Sequence, residues 1–208
     1  MVLSGGWDRI MKIYDTRVGK PVAQILGPCV AGDCIDIAGD EILAGTNSHK
    51  DPLAMYSLSM LKVVTQIGFD PPGSSIDSSG YCLAARFSKD RDRSMLFAGG
   101  AGRNQMIAYD NDTDQTGRFK QLGQISDTRG SIMCIDTASN GKLVAWGNHL
   151  GQIFVSSFEL NGSEEEPDMR TIQGRVAAKR SKFHFLNSLT RLSIDAEAEL
   201  RSSQEPAD

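Results

Sequence analysis

The chain repeats itself. Four short segments share a pattern of two apolar residues, a small residue and then, in most of them, glycine. They are Val2-Leu3-Ser4-Gly5-Gly6, Ile42-Leu43-Ala44-Gly45-Thr46, Leu96-Phe97-Ala98-Gly99-Gly100 and Leu143-Val144-Ala145-Trp146-Gly147. Their equivalent positions, 3, 43, 97 and 144, are spaced 40, 54 and 47. A second series follows each segment: Ile10 to Asp15, Leu53 to Ser57, Met106 to Asp110 and Ile153 to Ser157. Its equivalent positions 14, 56, 109 and 156 are spaced 42, 53 and 47. A third series precedes three of the segments, at Asp33 to Ile37, Tyr81 to Ala85 and Met133 to Thr137. Its cysteines Cys34, Cys82 and Cys134 are 48 and 52 apart. Three series that drift together mark a true repeat. A repeat of this length cannot bury its apolar face alone and does so by stacking on its neighbours.

Each segment is a short run rich in branched and aromatic residues, bounded by Gly, Asp, Asn or Ser, which is the signature of a strand between turns. A fourth strand per unit is legible at Pro21 to Leu26, Leu61 to Ile67 and Phe119 to Ile125. The unit is therefore a four-stranded antiparallel meander, which matches the blade of a β-propeller. The third unit is longer because of two polar insertions, Ser88 to Ser94 and Asp110 to Gly117. Both read as loop tips. The expected fold class is all-β: an incomplete propeller of four-stranded antiparallel blades over residues 1–160, at about 1–27, 30–68, 78–126 and 130–160.

The first unit, Leu3 to Pro21, resembles the WD-repeat propeller family. Tyr14-Asp15 takes the place of the family's Trp-Asp dipeptide, and Tyr109-Asp110 does so again. The resemblance implies that Tyr14 and Tyr109 are buried and that Asp8 holds a turn. It also implies that Ser4, Asp8 and Tyr14 supply three members of the family's hydrogen-bonded tetrad. The family's Gly-His dipeptide is missing throughout, and Tyr56-Ser57 and Ser156-Ser157 replace Trp-Asp in the other units. The wording of Gly32-Asp33-Cys34-Ile35-Asp36-Ile37 followed by Ile42-Leu43-Ala44-Gly45-Thr46 is similar to divergent WD-repeat proteins of protist cilia and flagella.

Propellers have four to eight blades, and three to four are legible here. An arc that does not close leaves an apolar sheet face exposed at each end. At the first unit that face is expected to carry Leu3, Ile10, Ile13 and Val22, or the residues alternating with them. The chain is then a piece of a longer propeller, a partner in a ring completed by another chain, or a small four-bladed ring. Residues 161–208 read as a linker and tail, partly helical or disordered. Asn161 to Asp168 is acidic and turn-rich. A basic stretch with Arg175, Lys179, Arg180 and Lys182 lies beside Phe183, His184 and Phe185. Phe185 to Arg201 has helical spacing of its leucines, and the last residues read as a disordered end.

Composition narrows the function. With 22 basic and 26 acidic residues, the net charge of −4 gives no overall basic field for nucleic acid. No apolar run is long enough for a membrane span. The N-terminus has no basic leader or long apolar stretch, so it does not read as a signal peptide. The four cysteines form no CxxC pair and only three histidines are present, which argues against structural zinc, and the lack of a signal peptide points to a reducing compartment in which they stay thiols. Recurrence of Cys34, Cys82 and Cys134 on the innermost strand reads as small buried side chains, with redox-active thiols as the competing reading.

No catalytic constellation is legible. There is no GxSxG elbow and no phosphate loop. Gly99 to Asn104 is glycine-rich but joins strand to strand. Asp110-Asn111-Asp112-Thr113-Asp114 opens like a calcium loop, yet Gln115 and Gln121 occupy positions where such a loop needs Gly and Glu. His49, His149 and His184 lie in unrelated places. No catalytic, cofactor-binding or metal-binding residue is therefore assigned. The expected function is a non-catalytic WD-repeat scaffold in the cytoplasm, cilium or flagellum. It would bind other proteins through propeller faces and loops, with no nucleic acid or membrane partner, and would self-associate or join a chain supplying further blades. The alternatives are a hydrolase or oxidoreductase on a propeller frame and a ciliary structural component.

Overall fold

A computed structural model describes residues 1–157, apart from 47, 49–50, 70–79, 103, 114–116, 126–127 and 139–142. The expected linker, basic stretch, helix and disordered end all lie outside the described residues. The described residues contain no helix and form β1 (Val2–Ser4), β2 (Ile10–Asp15), β3 (Lys20–Leu26), β4 (Ile35–Ala38), β5 (Glu41–Gly45), β6 (Leu53–Ser57), β7 (Lys62–Ile67), β8 (Tyr81–Phe87), β9 (Met95–Ala101), β10 (Met106–Thr113), β11 (Phe119–Ile125), β12 (Ile132–Thr137), β13 (Leu143–Asn148) and β14 (Ile153–Ser157). The fold is all-β. The Asp110 to Gly117 insertion is not wholly a loop, because β10 continues through Thr113, whose partner is Phe119.

Four antiparallel sheets form in chain order, each from sequential strands: β1-β2-β3, β4-β5-β6-β7, β8-β9-β10-β11 and β12-β13-β14. Tight turns set the registers. Ala38 pairs with Glu41, leaving Gly39-Asp40 as a two-residue hairpin loop. Gly39 has φ +61, which glycine adopts without steric cost at the first position of such a turn. Asp40 then clamps the neighbouring turn. Its carboxylate accepts Ser57 Oγ at 2.7 Å and the Ser59 amide at 2.8 Å. Those bonds, that to Ser57 first, hold its pKa below the usual value.

The sheets pack face to face in the same order. Met11, Ile13 and Ile25 of the first sheet meet Ile42, Ala44, Ala54 and Tyr56 of the second. The opposite face of the second sheet carries Leu43, Leu53, Met55 and Ile67. It meets Ala85, Phe87, Leu96, Ile107 and Tyr109 of the third. The third in turn presents Met95, Phe97, Met106 and Ala108 to Ile132, Ile135, Val144 and Trp146 of the fourth. This explains why β2 alternates in burial while all five residues of β6 are buried. A strand covered on both faces reads as a continuous apolar run.

One backbone irregularity recurs. The pairing of β2 with β3 shifts between Ile13 and Tyr14. That of β6 with β7 shifts between Met55 and Tyr56, and that of β10 with β11 between Ala108 and Tyr109. A bulge bends and twists its strand, so the three tyrosines occupy one structural position in three sheets. Their surroundings differ. Tyr56 faces the first sheet and Tyr109 the second, where Tyr109 Oη donates to Gly68 O at 2.8 Å. Tyr14 is half-buried rather than buried, because among the described residues no sheet lies beyond the first.

The outward face of the first sheet takes half of the first set expected. Leu3 and Ile13 pair and turn inward onto the second sheet. Ile10 and Val22 stay on the outward side, where Val2 stands opposite Tyr14 and Ile10 opposite Leu26, interrupted by polar Ser4, Lys12 and Gln24.

Candidate functional site

The second, third and fourth sheets line an open groove of about 430 Å³ beside their first strands, β4, β8 and β12. Asp33 and Asp36 come from the start of the second sheet. Arg86 is the penultimate residue of β8, Lys89 follows the strand, and Asp136 and Trp146 come from the fourth sheet. Arg86 binds the second and third sheets together. Its guanidinium forms a short ion pair with Asp33, and donates to Ile35 O at 2.8 Å and Ala85 O at 3.1 Å. Asp36 accepts the Phe87 amide at 3.0 Å, another bond between sheets. The Lys89 ammonium lies 2.5 Å from Asp136, a carboxylate that it holds below its usual pKa. The Lys89 amide donates to Thr137 Oγ1 at 3.0 Å.

These contacts turn charge toward joining sheets. Asp33 and Asp136 have cationic partners, and Asp36 accepts two backbone amides, from Ile37 and Phe87. Beside the charged groups the groove has an apolar wall of Ile135, Ala145 and Ile153. Trp146 stacks on Phe154 with ring centroids 5.5 Å apart, and its buried Nε1 has no hydrogen-bond partner among the described residues.

Next to Asp33, Cys34 and Cys82, both buried, bring their sulfurs to 2.9 Å. The contact with Cys82, then burial, push the Cys34 thiol well above its ordinary pKa. Glycine makes the room, since a Cβ at Gly45 would stand 2.6 Å from Cys34 Sγ. Cys134 does not follow the expectation of burial. It repeats the arrangement, with Gly147 beside it, but is exposed because among the described residues no further sheet covers the fourth.

The WD-type tetrad is not assembled. Asp8 caps its turn by accepting the Ile10 amide at 3.2 Å. Among the described residues no hydrogen bond joins Asp8 to Ser4 or Tyr14. The residue after each repeated tyrosine does share one role. Asp15, Ser57 and Asp110 each accept an amide two or three residues on, from Arg17, Met60 and Asp112, the first two in turns and the last within β10. His149 braces a turn by accepting the Ser131 amide through Nδ1 at 2.9 Å. His49 and His184 lie outside the described residues. Among the described residues no three His, Cys, Asp or Glu side chains gather as metal ligands. No helix there is long and apolar enough to cross a membrane.

A second open cleft of about 740 Å³ runs along the β3 and β7 edges of the first and second sheets, bordered by Arg9, Gln24 and Leu26 and by Tyr56, Lys62 and Val63. Sequence reasoning singled out neither cleft. The residues of the first are brought together from positions about 50 apart, with no local signal. Compared with known proteins, the chain matches no protein-family model, and no curated protein is significantly similar to it.

Proposed function

We propose that the chain is a non-catalytic scaffold of the WD-repeat type, whose four sheets are consecutive blades of a β-propeller and whose faces bind other proteins. The observation that carries this reading is the order of packing. Four meanders follow one another in the chain, and each covers the face of the one before. The bulge repeated at Tyr14, Tyr56 and Tyr109 supports the equivalence of the units. A paired-up groove and an exposed cleft suit recognition of a peptide or loop better than bond-breaking chemistry. The ring is completed by further blades, on the same polypeptide or on an associated one. The protein works in the cytoplasm or in a cilium or flagellum.

Affinity purification from native cells, followed by electron microscopy, tests this reading. The expected result is a stoichiometric protein complex containing ring-shaped particles with a central opening. Loss of partners is expected from Lys89→Glu at the groove, with the far-UV spectrum unchanged. Rod-like or open stacks of sheets would refute the propeller, and a purified chain that turns over a substrate would refute the scaffold.

A further inference from the structure

Cys34 and Cys82 are 48 residues apart in sequence and belong to different sheets, yet their sulfurs are 2.9 Å apart. A disulfide holds its sulfurs about 2.05 Å apart, so less than ~1 Å of approach separates the thiols from a covalent bond. The surroundings fix that meeting. The second sheet is hydrogen-bonded to the third at this point. The Asp33 amide donates to Leu83 O at 2.8 Å, and the Ala85 amide donates to Asp33 O at 3.1 Å. Gly32 approaches Leu83 so closely that a Cβ would stand 2.7 Å from its carbonyl oxygen. Gly45 leaves space for the Cys34 sulfur, and its amide donates to Cys34 O at 2.9 Å. Cys134, third in the repeat, has no following sheet among the described residues and so no equivalent partner there.

We propose that Cys34 and Cys82 form a reversible disulfide that staples the second sheet to the third under oxidising conditions. The oxidant is a hydroperoxide, and hydrogen peroxide is small enough to reach a buried sulfur. Cys82, which retains 3% exposure against 0% for Cys34, is oxidised first. Its sulfur bonds to one peroxide oxygen, the O–O bond breaks, and the other oxygen leaves as water with the thiol proton. The Cys34 sulfur then displaces the hydroxyl of the sulfenic acid, which leaves as a second water with the Cys34 proton. The two thiols lose two electrons in all, and a dithiol reductant returns them by exchange. The bond closes a loop across the whole second sheet and removes freedom from the unfolded chain. This inference stands on the sheet contact alone and does not depend on the ring.

The test is to treat the intact chain with millimolar hydrogen peroxide, unfold it, alkylate free thiols and map the peptides. The expected result is loss of two of the four alkylatable thiols, with one linked peptide pair carrying Cys34 and Cys82. The midpoint of thermal unfolding should rise by on the order of 10 °C and fall back on reduction. Cys34→Ala and Cys82→Ala abolish the shift, whereas Cys29→Ala and Cys134→Ala keep it. Four thiols still alkylatable after oxidation, or a linked pair containing Cys29 or Cys134, would overturn the proposal. Mapping of the unsubstituted chain decides the matter even if an alanine variant fails to fold.

Discussion

Three tyrosines in one structural position allow sheet stacking to be weighed. Tyr109 is 2% exposed and its ring lies in the core between the second and third sheets. Truncation to alanine removes a fully buried aromatic and leaves a cavity, at a cost of about 3–5 kcal/mol. Tyr109→Phe keeps the ring but strips the donor from Gly68 O, 2.8 Å away. The cost is the net bond plus an unsatisfied carbonyl, about 1–2 kcal/mol. Tyr14 has the same bulge and the same position in its strand, but its ring is half in water. Tyr14→Ala in the 208-residue chain should therefore cost less, about 1–2 kcal/mol. Urea unfolding followed by the fluorescence of Trp146, buried in the fourth sheet, measures all three. Equal losses at Tyr14 and Tyr109 would refute the argument, because they would mean that a missing neighbouring sheet makes no difference.

Two further perturbations follow from local geometry. Gly32 has φ +72 and a Cβ added there would meet Leu83 O at 2.7 Å, whereas Gly39 has φ +61 and open space. Gly32→Ala should cost about 2–4 kcal/mol and Gly39→Ala about 1 kcal/mol, a difference visible in thermal melts. Lys89 and Asp136 are paired but 51% and 63% exposed, so Lys89→Ala should cost less than ~1 kcal/mol at neutral pH. Because Lys89 depresses the Asp136 pKa, the pair stabilises the fold above the unfolded carboxylate pKa. That contribution is lost as pH falls through the depressed folded value. Melts of the two proteins should therefore converge in acid, and a gap that widens there would contradict the assignment.

The strands were legible because each is short, β-rich and bounded by turn residues. The bounds of β2, β6, β11 and β14 can be read from Ile10, Leu53, Phe119 and Ile153 onward. Burial was less legible, since it depends on which sheets have neighbours. Tyr14 and Tyr109 carry the same local signal, as do Cys82 and Cys134, and each pair is split by position in the stack. The cysteine spacing did mark one repeated position, at or just before the first strand of each of three sheets. It could not show that Cys34 and Cys82 lean toward each other, because that follows from the close approach at Gly32 and Gly45. The bond from Arg86 to Asp33 spans 53 residues and leaves no trace in local sequence.

The ends of the stack carry the last prediction, which is self-association. The fourth sheet repeats the face by which the second receives the third. Cys134 and Gly147 stand as Cys34 and Gly45 do, with the glycine Cβ position 3.0 Å from the sulfur in one and 2.6 Å in the other. In the second sheet that face is filled by the third, whereas in the fourth Leu143 and Ile153 are exposed. At the other end Val2 and Leu26 are exposed on the first sheet, Leu26 by 69%. Exposed apolar side chains gain by burial against another chain, and two unlike faces joined head to tail give a closed ring or a growing filament. Sedimentation velocity should show species larger than the monomer that grow with concentration and change little with salt, because the contacts are apolar. Ile153→Lys and Leu26→Lys should each shift the population toward monomer without loss of strand signal. Residues 158–208 could compete for one of these faces, so the measurement is repeated with 163–208 deleted. A monodisperse, cooperatively unfolding monomer in both forms would refute the open faces and leave a closed ring of four sheets as the arrangement in solution.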